Sequence, residues 1–100
     1  MKKIPVTITR VYISESEKLL SPILKLLKND VKIRGFTVFR AIEGLSASAH
    51  SAMLVDLSLD LPLVVEFFDD DENKISSALE KIGALVKPEH ILIWKAETII

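Results

Sequence analysis

Three stretches of apolar residues have the pattern of β-strands. The first runs from Ile4 to Ile13, and apolar residues fall on both faces of the strand that it predicts. The second runs from about Ile33 to Glu43 and is rich in β-branched and aromatic residues. The third, Leu61 to Phe68, is close to continuously apolar. Because a strand with two apolar faces is usually covered on both sides, we expect the first and third strands to be central in a sheet.

Two other stretches have apolar residues at helical spacing. In the first, Ser21 and Pro22 are typical of a helix start, and the apolar stripe ends near Asn29. In the second, the acidic residues 69–72 suit the free N–H groups and the dipole at a helix start. Apolar residues then follow at intervals of three and four as far as Val86. The sequence therefore predicts two helices, each placed between strands.

The predicted order of elements is β-α-β-β-α-β within a single domain, residues 1–100. The last strand is the short apolar run Ile91 to Trp94, followed by a tail. Two β-α-β crossovers joined by a hairpin give an α+β, ferredoxin-like fold, with a four-stranded antiparallel sheet and both helices on one face. The hairpin connection, residues 44–60, is long for a compact domain, and such connections are often functional.

The composition constrains the function. Hydrophobic residues make up 49% of the chain, more than a lone small core needs, so a second sheet face or a subunit interface is expected to be covered. The net charge is −1, with no basic excess, so we expect no nucleic-acid partner. The chain has no cysteine, which excludes disulfides and thiolate metal sites. It shows no signal peptide and no bilayer-spanning segment, which favours a cytoplasmic protein without membrane insertion.

Charged residues interrupt strand faces that are otherwise apolar at Arg10, Arg40 and Glu66. A buried charge is costly unless it is paired, so one interpretation is a structural ion pair between Arg10 and Glu66 on neighbouring central strands. The other is an anion-binding arginine, best placed at Arg40 beside the long connection. Glu43 is then the obvious carboxylate to compete for Arg40. Both interpretations remain open at this point.

Other candidate chemistry is weaker. The run Asp69 to Asp71 has neither the spaced oxygen ligands nor the glycine of a calcium loop, which favours a helix cap. His90 reads as a surface residue, whereas His50 lies among hydroxyls in the long connection. Two histidines in a chain without cysteine are weak evidence for a metal-binding site. No serine has the context of a nucleophile and no glycine-rich nucleotide loop is present, so the sequence predicts no catalytic and no metal-binding residue.

Several segments resemble a known family. Gly35-Phe36-Thr37-Val38, with Gly44 after it, resembles the Gly-x-Thr-Val…Gly-Phe-Gly pattern of the nitrogen regulatory PII proteins. A closer resemblance is to a PII-like family without assigned function, domain-of-unknown-function family 190. The segments that resemble it are Tyr12-Ile13-x-Glu15-Ser16, Gly35-x-Thr37-Val38-x-Arg40-x-Ile42-Glu43-Gly44, His50-Ser51, and Leu57-Ser58-x-Asp60-Leu61-Pro62-x-Val64-x-Glu66, ending near Asp69. The resemblance keeps its order and spacing over nearly the whole chain.

The resemblance implies a homotrimer whose sheets pack around the threefold axis, which would use the apolar excess. PII proteins bind adenine nucleotides in clefts between subunits, and their long loop changes shape to engage a protein partner. By resemblance, this chain is a regulatory protein that senses a small anionic ligand, with an adenine nucleotide as candidate, and signals through residues 44–60. The resemblance makes Gly35, Phe36, Thr37, Gly44 and Ser46 candidate ligand contacts, and Arg40, Glu43 and His50 join them from their positions in the sequence.

The chain departs from the PII pattern at two places. Ser46 stands where the second glycine of Gly-Phe-Gly is found, and residues 87–89 stand where PII proteins have a glycine-rich phosphate loop. Two alternatives to a regulatory protein remain. One is a small enzyme that uses the same clefts, with His50 as acid or base. The other is a metal-tolerance protein of the CutA type, against which the scarcity of histidine and the absence of cysteine weigh.

Overall fold

A computed structural model describes residues 1–45, 51–53 and 61–100 of the chain. The main elements in chain order are β1 (Lys3–Ser14), α1 (Leu20–Lys25), β2 (Gly35–Arg40), β3 (Glu43–Leu45), β4 (Ser51–Met53), β5 (Pro62–Asp69), α2 (Glu72–Gly83) and β6 (Ile91–Ile99). A 3-10 helix, Glu15–Glu17, follows β1, a π-helical segment, Leu26–Val31, continues α1, and a second 3-10 helix, Pro88–His90, precedes β6.

Four strands form one antiparallel sheet in the order β2-β5-β1-β6. This order confirms the predicted ferredoxin-like fold, and it places β1 and β5 in the middle, as their two-sided apolar character requires. The short strands β3 and β4 pair with each other as a separate antiparallel ribbon within the long connection.

The helices cover one face of this sheet. On that face, Val11 of β1 and the neighbouring Val65 and Phe67 of β5 are completely buried. The helical side chains packed in the same core are Ile23, Leu26 and Leu27 from the first helical segment and Ile75, Ala78 and Ile82 from α2. The opposite face carries Ile8, Tyr12, Val64 and Phe68, none of which is fully buried, and we call it the open face.

Two predicted boundaries near the first helix and the second strand are wrong. Helix α1 begins at Leu20 rather than at a Ser21 cap, and its N-cap residue, Leu19, makes no side-chain capping bond. Strand β2 ends at Arg40 instead of continuing to Glu43, because the chain bends at residues 41–42 before β3 begins. The run of β-forming residues from Ile33 to Glu43 therefore contains a bend that its sequence pattern does not indicate.

The last strand is longer than predicted. Strand β6 continues through the mostly polar segment 95–98 and ends at Ile99, where the sequence predicts a tail. The 12-residue strand β1 provides the reason, because its first half pairs with this segment in the register Lys3 to Ile99. Backbone hydrogen bonds between Lys2 and Ile100 extend the pairing further.

Aspartates at the end of β5 organise the start of α2. Asp69 is 2% exposed, and its carboxylate accepts hydrogen bonds from the backbone N–H groups of Arg34 and Asp71, both at 2.8 Å. The Asp71 side chain accepts from the backbone N–H of Asn73 at 2.9 Å and, more weakly, of Lys74 at 3.4 Å. The interpretation of this acidic run as a helix cap is therefore confirmed.

A polar triad joins α2 to the two strands below it. The Thr7 hydroxyl donates to Glu72 Oε1 at 2.6 Å, and the Lys95 ammonium donates to both Thr7 Oγ1 and Glu72 Oε1 at 2.8 Å. Thr7 is buried, so its hydroxyl needs this partner. The hydrogen bond from Lys95, followed by that from Thr7, lowers the pKa of Glu72. The triad therefore fixes the first turn of α2 over the end of the sheet.

We expect Glu72→Gln to lower the melting temperature at neutral pH and to have little effect in acid. A carboxylate with a lowered pKa stabilises the fold above its unfolded-state pKa, about 4.3 for glutamate, and this contribution is lost as the pH falls through the folded-state value. Thermal unfolding of both proteins from about pH 7 to about pH 3 measures the difference. Glu80→Gln, on the exposed side of the same helix, is the control. A difference that stays constant with pH would contradict this role of the triad.

Candidate functional site

The candidate site lies where β1 and β2 end and β5 begins, at the end of the sheet away from the polar triad. The antiparallel register places Ser14 opposite Pro62 and Arg40 opposite Leu63. We call the described residues around this junction the Arg40 cluster. Its members are Glu15, Arg40, Ala41, Gly44 and Pro62.

Backbone hydrogen bonds hold the cluster together. The Ala41 N–H donates to the Pro62 carbonyl at 2.9 Å, and the Glu15 N–H donates to the Leu61 carbonyl at 3.2 Å. Both bonds end on the first residues of the β5 segment, so that segment positions the turn after β1 and the bend after β2 relative to each other. The two charged side chains of the cluster are carried by these two segments.

Arg40 is paired with Glu15. Its Nη2 lies 2.7 Å from Glu15 Oε1, and the two side chains are 61% and 32% exposed. The carboxylate oxygen Oε1 is itself buried, but no described residue gives it a well-aligned hydrogen bond, so this contact is an ion pair without the directional part of a hydrogen bond. Glu43 had been expected as the competing carboxylate. The residue paired with Arg40 is instead Glu15, because the end of β1 lies beside the start of β5.

The turn that carries Glu15 is fixed locally. The Ser14 backbone N–H donates to Glu17 Oε1 at 2.7 Å, and the Ser14 hydroxyl lies 2.9 Å from the same oxygen. Lys18 closes the turn in the left-handed conformation, with φ of 55°, and its N–H donates to the Glu15 carbonyl at 3.3 Å. Glu15 therefore sits on a turn with several internal hydrogen bonds.

Both candidate glycines, Gly35 and Gly44, are packed closely against a ring of a neighbouring residue. A Cβ atom on Gly44 would lie 2.8 Å from Pro62 Cγ, and one on Gly35 would lie 2.7 Å from Cε1 of Phe68, its partner across the sheet. Real Cβ contacts are essentially never below 3.0 Å, so each glycine allows a ring to approach the backbone. Close packing alone therefore explains why glycine stands at both positions, and no bound ligand is needed to explain it.

The other candidate residues are spread along β2. Gly35 and Phe36 lie at its start and Arg40 at its end, roughly 16 Å away at 3.3 Å per residue. Phe36 packs against the core with its ring near Lys28 Nζ, 5.9 Å from the ring centroid. Thr37 is exposed on the open face. Within one chain, the candidates near the start of β2 therefore do not meet those near its end.

Only part of the predicted site falls within the described residues. Gly44 lies against Pro62, Arg40 is paired with the next residue, Leu63, and Glu43 is the first residue of β3, whereas Ser46 and His50 lie outside the described residues. The placements do not test whether these residues bind a ligand, and the site stays a prediction. In residues 1–45, 51–53 and 61–100, no group of three or more histidines, cysteines and carboxylates is arranged to hold a metal ion.

A second charged pair lies in the middle of the open face. Arg10 Nε donates to Glu66 Oε1 at 2.7 Å, and the guanidinium carbon lies 5.5 Å from the centroid of the Trp94 ring. Hydrogen bonding to Glu66, and then to Tyr12, raises the pKa of Arg10 above its ordinary value. The interpretation of Arg10 and Glu66 as a structural ion pair is confirmed. Around the pair, Phe39, Leu92 and Trp94 are 39–49% exposed.

Sequence reasoning missed two features of these regions. Glu15 was not recognised as the partner of Arg40, although it belongs to the segment Tyr12 to Ser16 that carried the family resemblance. His90 is also not a plain surface residue. It is half-buried, and its Nε2 is buried without a hydrogen-bond partner among the described residues.

We expect Gly44→Ala to cost about 1–3 kcal/mol of unfolding free energy, because the added methyl group overlaps the rigid Pro62 ring. Gly83→Ala, which meets nothing within 4 Å at the end of α2, should be neutral or stabilising by up to about 1 kcal/mol. Urea denaturation measures both variants. If Gly44→Ala is as stable as the wild type, the close approach of Pro62 is not a constraint at this position.

Comparison with known proteins identifies the family. The model of the family described as "DUF190: Uncharacterized ACR, COG1993" matches residues 5–98, so the chain belongs to this family. In the part of the chain that the structure describes, no helix is long and apolar enough to cross a membrane.

Solved structures with the same fold include PII-like proteins. CPII from Thiomonas intermedia K12, solved with ADP and bicarbonate bound, aligns with a TM-score of 0.72 at 14% identity, over 97% of this chain and 91% of its own. The GlnK–ATP complex of B. subtilis aligns with a TM-score of 0.50 at 11% identity, over 94% of this chain and 82% of its own. The divalent ion tolerance protein CutA1 from Ehrlichia chaffeensis aligns with a TM-score of 0.60 at 12% identity, over 100% of this chain and 86% of its own. At these identities the similarity concerns the fold.

Proposed function

We propose that this member of the DUF190 family is a cytoplasmic regulatory protein that binds a small anion at the Arg40 cluster, with an adenine nucleotide as the first candidate. The observation that carries the proposal is the 2.7 Å contact between Arg40 Nη2 and a carboxylate oxygen of Glu15. Arginine binds carboxylate and phosphate groups through the same planar fork of donors. Similarity in fold to CPII, which binds ADP and bicarbonate, supports the choice of these anions as ligands.

The position of Arg40 supports a role in signalling. Arg40 is the last residue of β2, and β3 begins three residues later at Glu43, so the cluster stands at the base of the connection 44–60. An anion bound by Arg40 would therefore lie near the start of this connection. In the proposed function, the bound ligand changes how residues 44–60 engage a protein partner.

The open face supports assembly into a homotrimer. Phe39, Leu92 and Trp94 expose 39–49% of their surface there, and an apolar area of this kind is typical of a protein interface. Arg10 and Glu66 neutralise each other at its centre, so the face carries no unpaired charge at that point that would repel a second copy. We propose that three copies cover one another through this face and form ligand clefts between subunits. Residues from the start of β2, such as Gly35 and Thr37, would then reach a ligand from a neighbouring subunit.

Arg40→Lys is expected to fold normally but to bind ADP at least about tenfold more weakly than the wild type. A lysine keeps the charge and loses the fork of donors that holds two oxygens together. Isothermal titration with ADP, AMP and bicarbonate measures the affinity, and thermal unfolding checks the fold.

Arg34→Lys is the matched control for this experiment. Arg34 is also half-exposed and paired with a carboxylate, Asp70 at 3.2 Å, but it precedes β2 at the opposite end of the sheet. We expect Arg34→Lys to bind like the wild type. Equal affinity of Arg40→Lys and the wild type would remove Arg40 from the site.

At micromolar protein concentration, we expect light scattering to give a molar mass three times that of one chain. Leu92→Glu should dissociate the assembly, because it places a charge on the covered face. Leu85→Glu, at a leucine of similar exposure in the turn after α2, should leave the mass unchanged. A wild-type protein that is monomeric under these conditions would contradict the proposed assembly.

A further inference from the structure

We propose that Glu15 is a built-in competitor for the anion site, so that an external anion binds Arg40 only by displacing an internal carboxylate. The inference rests on the proposed function and deepens it, because it states how binding at that site is regulated. Its basis is the geometry of the two side chains and of the segments that carry them.

The two charged groups differ in their access to solvent. Arg40 is 61% exposed, so an anion can approach its guanidinium from outside. Glu15 is 32% exposed, and the oxygen that faces Arg40 is buried. A ligand in solution therefore meets the cation of the pair, while the carboxylate stays largely covered.

The two groups also differ in how firmly they are held. Glu15 lies in a turn whose backbone bonds to Leu61 and Lys18 and whose first residue, Ser14, is bonded to Glu17. Arg40 is the last residue of a strand, and its side chain has four rotatable bonds between the backbone and the guanidinium. Exchange of partners therefore requires a rotation of the Arg40 side chain and leaves Glu15 in place.

The exchange has a cost that any ligand at Arg40 has to offset. Once Arg40 turns away, the buried Oε1 of Glu15 keeps neither a cation nor an aligned hydrogen bond from the described residues. Removing the partner of a covered charge is unfavourable. The incoming anion must therefore interact with Arg40 more strongly than the single Glu15 oxygen that it replaces. A group with several charged oxygens, such as the phosphates of a nucleotide, can occupy the guanidinium fork bidentately. This cost is the same for every anion that replaces Glu15 at Arg40, so the internal pair lowers the affinity for all of them.

The test measures ADP and bicarbonate affinity by isothermal titration in the wild type and in Glu15→Gln. The glutamine keeps the size of the side chain and loses its charge. We expect Glu15→Gln to bind ADP about twofold to fivefold more tightly, the range that corresponds to a partly exposed ion pair. Bicarbonate affinity should rise by a similar factor, since the same carboxylate has to be displaced for either anion.

Three further variants separate competition from a general effect of charge. Glu17→Gln removes a negative charge two residues away and keeps the acceptor oxygen that bonds to Ser14, so ADP affinity should not change. Glu15→Asp keeps the charge but shortens the reach to Arg40, so it should tighten binding. In an Arg40→Gln background, Glu15→Gln should have no effect on ADP affinity, because no guanidinium remains to be released.

The outcomes distinguish this inference from the proposed function. If the wild type binds ADP and Glu15→Gln binds it equally or more weakly, the competition is overturned and the proposed function stands. The competition is also overturned if Glu15→Gln has the same effect with and without Arg40. If neither protein binds ADP or bicarbonate, both proposals fail. Binding of ADP to the wild type together with tighter binding to Glu15→Gln supports both, whereas binding found only in the variant supports the competition and contradicts the proposed function.

Discussion

The register between β1 and β5 determines which side chains meet on both faces and at both ends of the sheet. The pairing runs from Thr7 opposite Asp69 to Ser14 opposite Pro62. Since side chains alternate along a strand, a slip of one residue would move Val11 and its neighbours from the core to the open face. The same register sets Arg10 opposite Glu66 and brings the turn after β1 beside the start of β5. Both charged pairs of the sheet therefore depend on it.

These two pairs differ in what surrounds each arginine. Arg10 lies in the middle of a sheet face, where its Nε donates to Glu66 at 2.7 Å and the Trp94 ring lies beside the guanidinium. Arg40 has one described acidic partner, in poor alignment, at the open end of a strand. The Arg10–Glu66 arrangement suits a permanent subunit interface. The Arg40–Glu15 arrangement suits a contact that forms and breaks as a ligand binds. In this account the same residue type has a structural role at one position and a binding role at the other.

The sequence predicted the parts of this structure that depend on local pattern. The central places of β1 and β5 followed from their apolar faces, and the Arg10–Glu66 pair followed because each charge interrupts such a face on adjacent strands. The second half of β6 was missed, because Ala96 is the only apolar residue among residues 95–98 and this segment is a strand through its pairing with the distant start of β1. The contact between Glu15 and Arg40 was missed for the same reason, since it depends on how two turns meet at β5. Contacts of this kind have no local signature.

The most direct test of the account follows the Arg40 side chain itself. Nuclear magnetic resonance of the arginine Nε–H groups, assigned through Arg40→Lys and Arg34→Lys, reports the environment of each guanidinium during titration with ADP. We expect the Arg40 signal to shift with ADP concentration while the Arg34 signal stays in place. We also expect Glu15→Gln to move the Arg40 signal before any ADP is added. An Arg40 signal that responds neither to saturating ADP nor to the loss of the Glu15 charge would contradict the central claim.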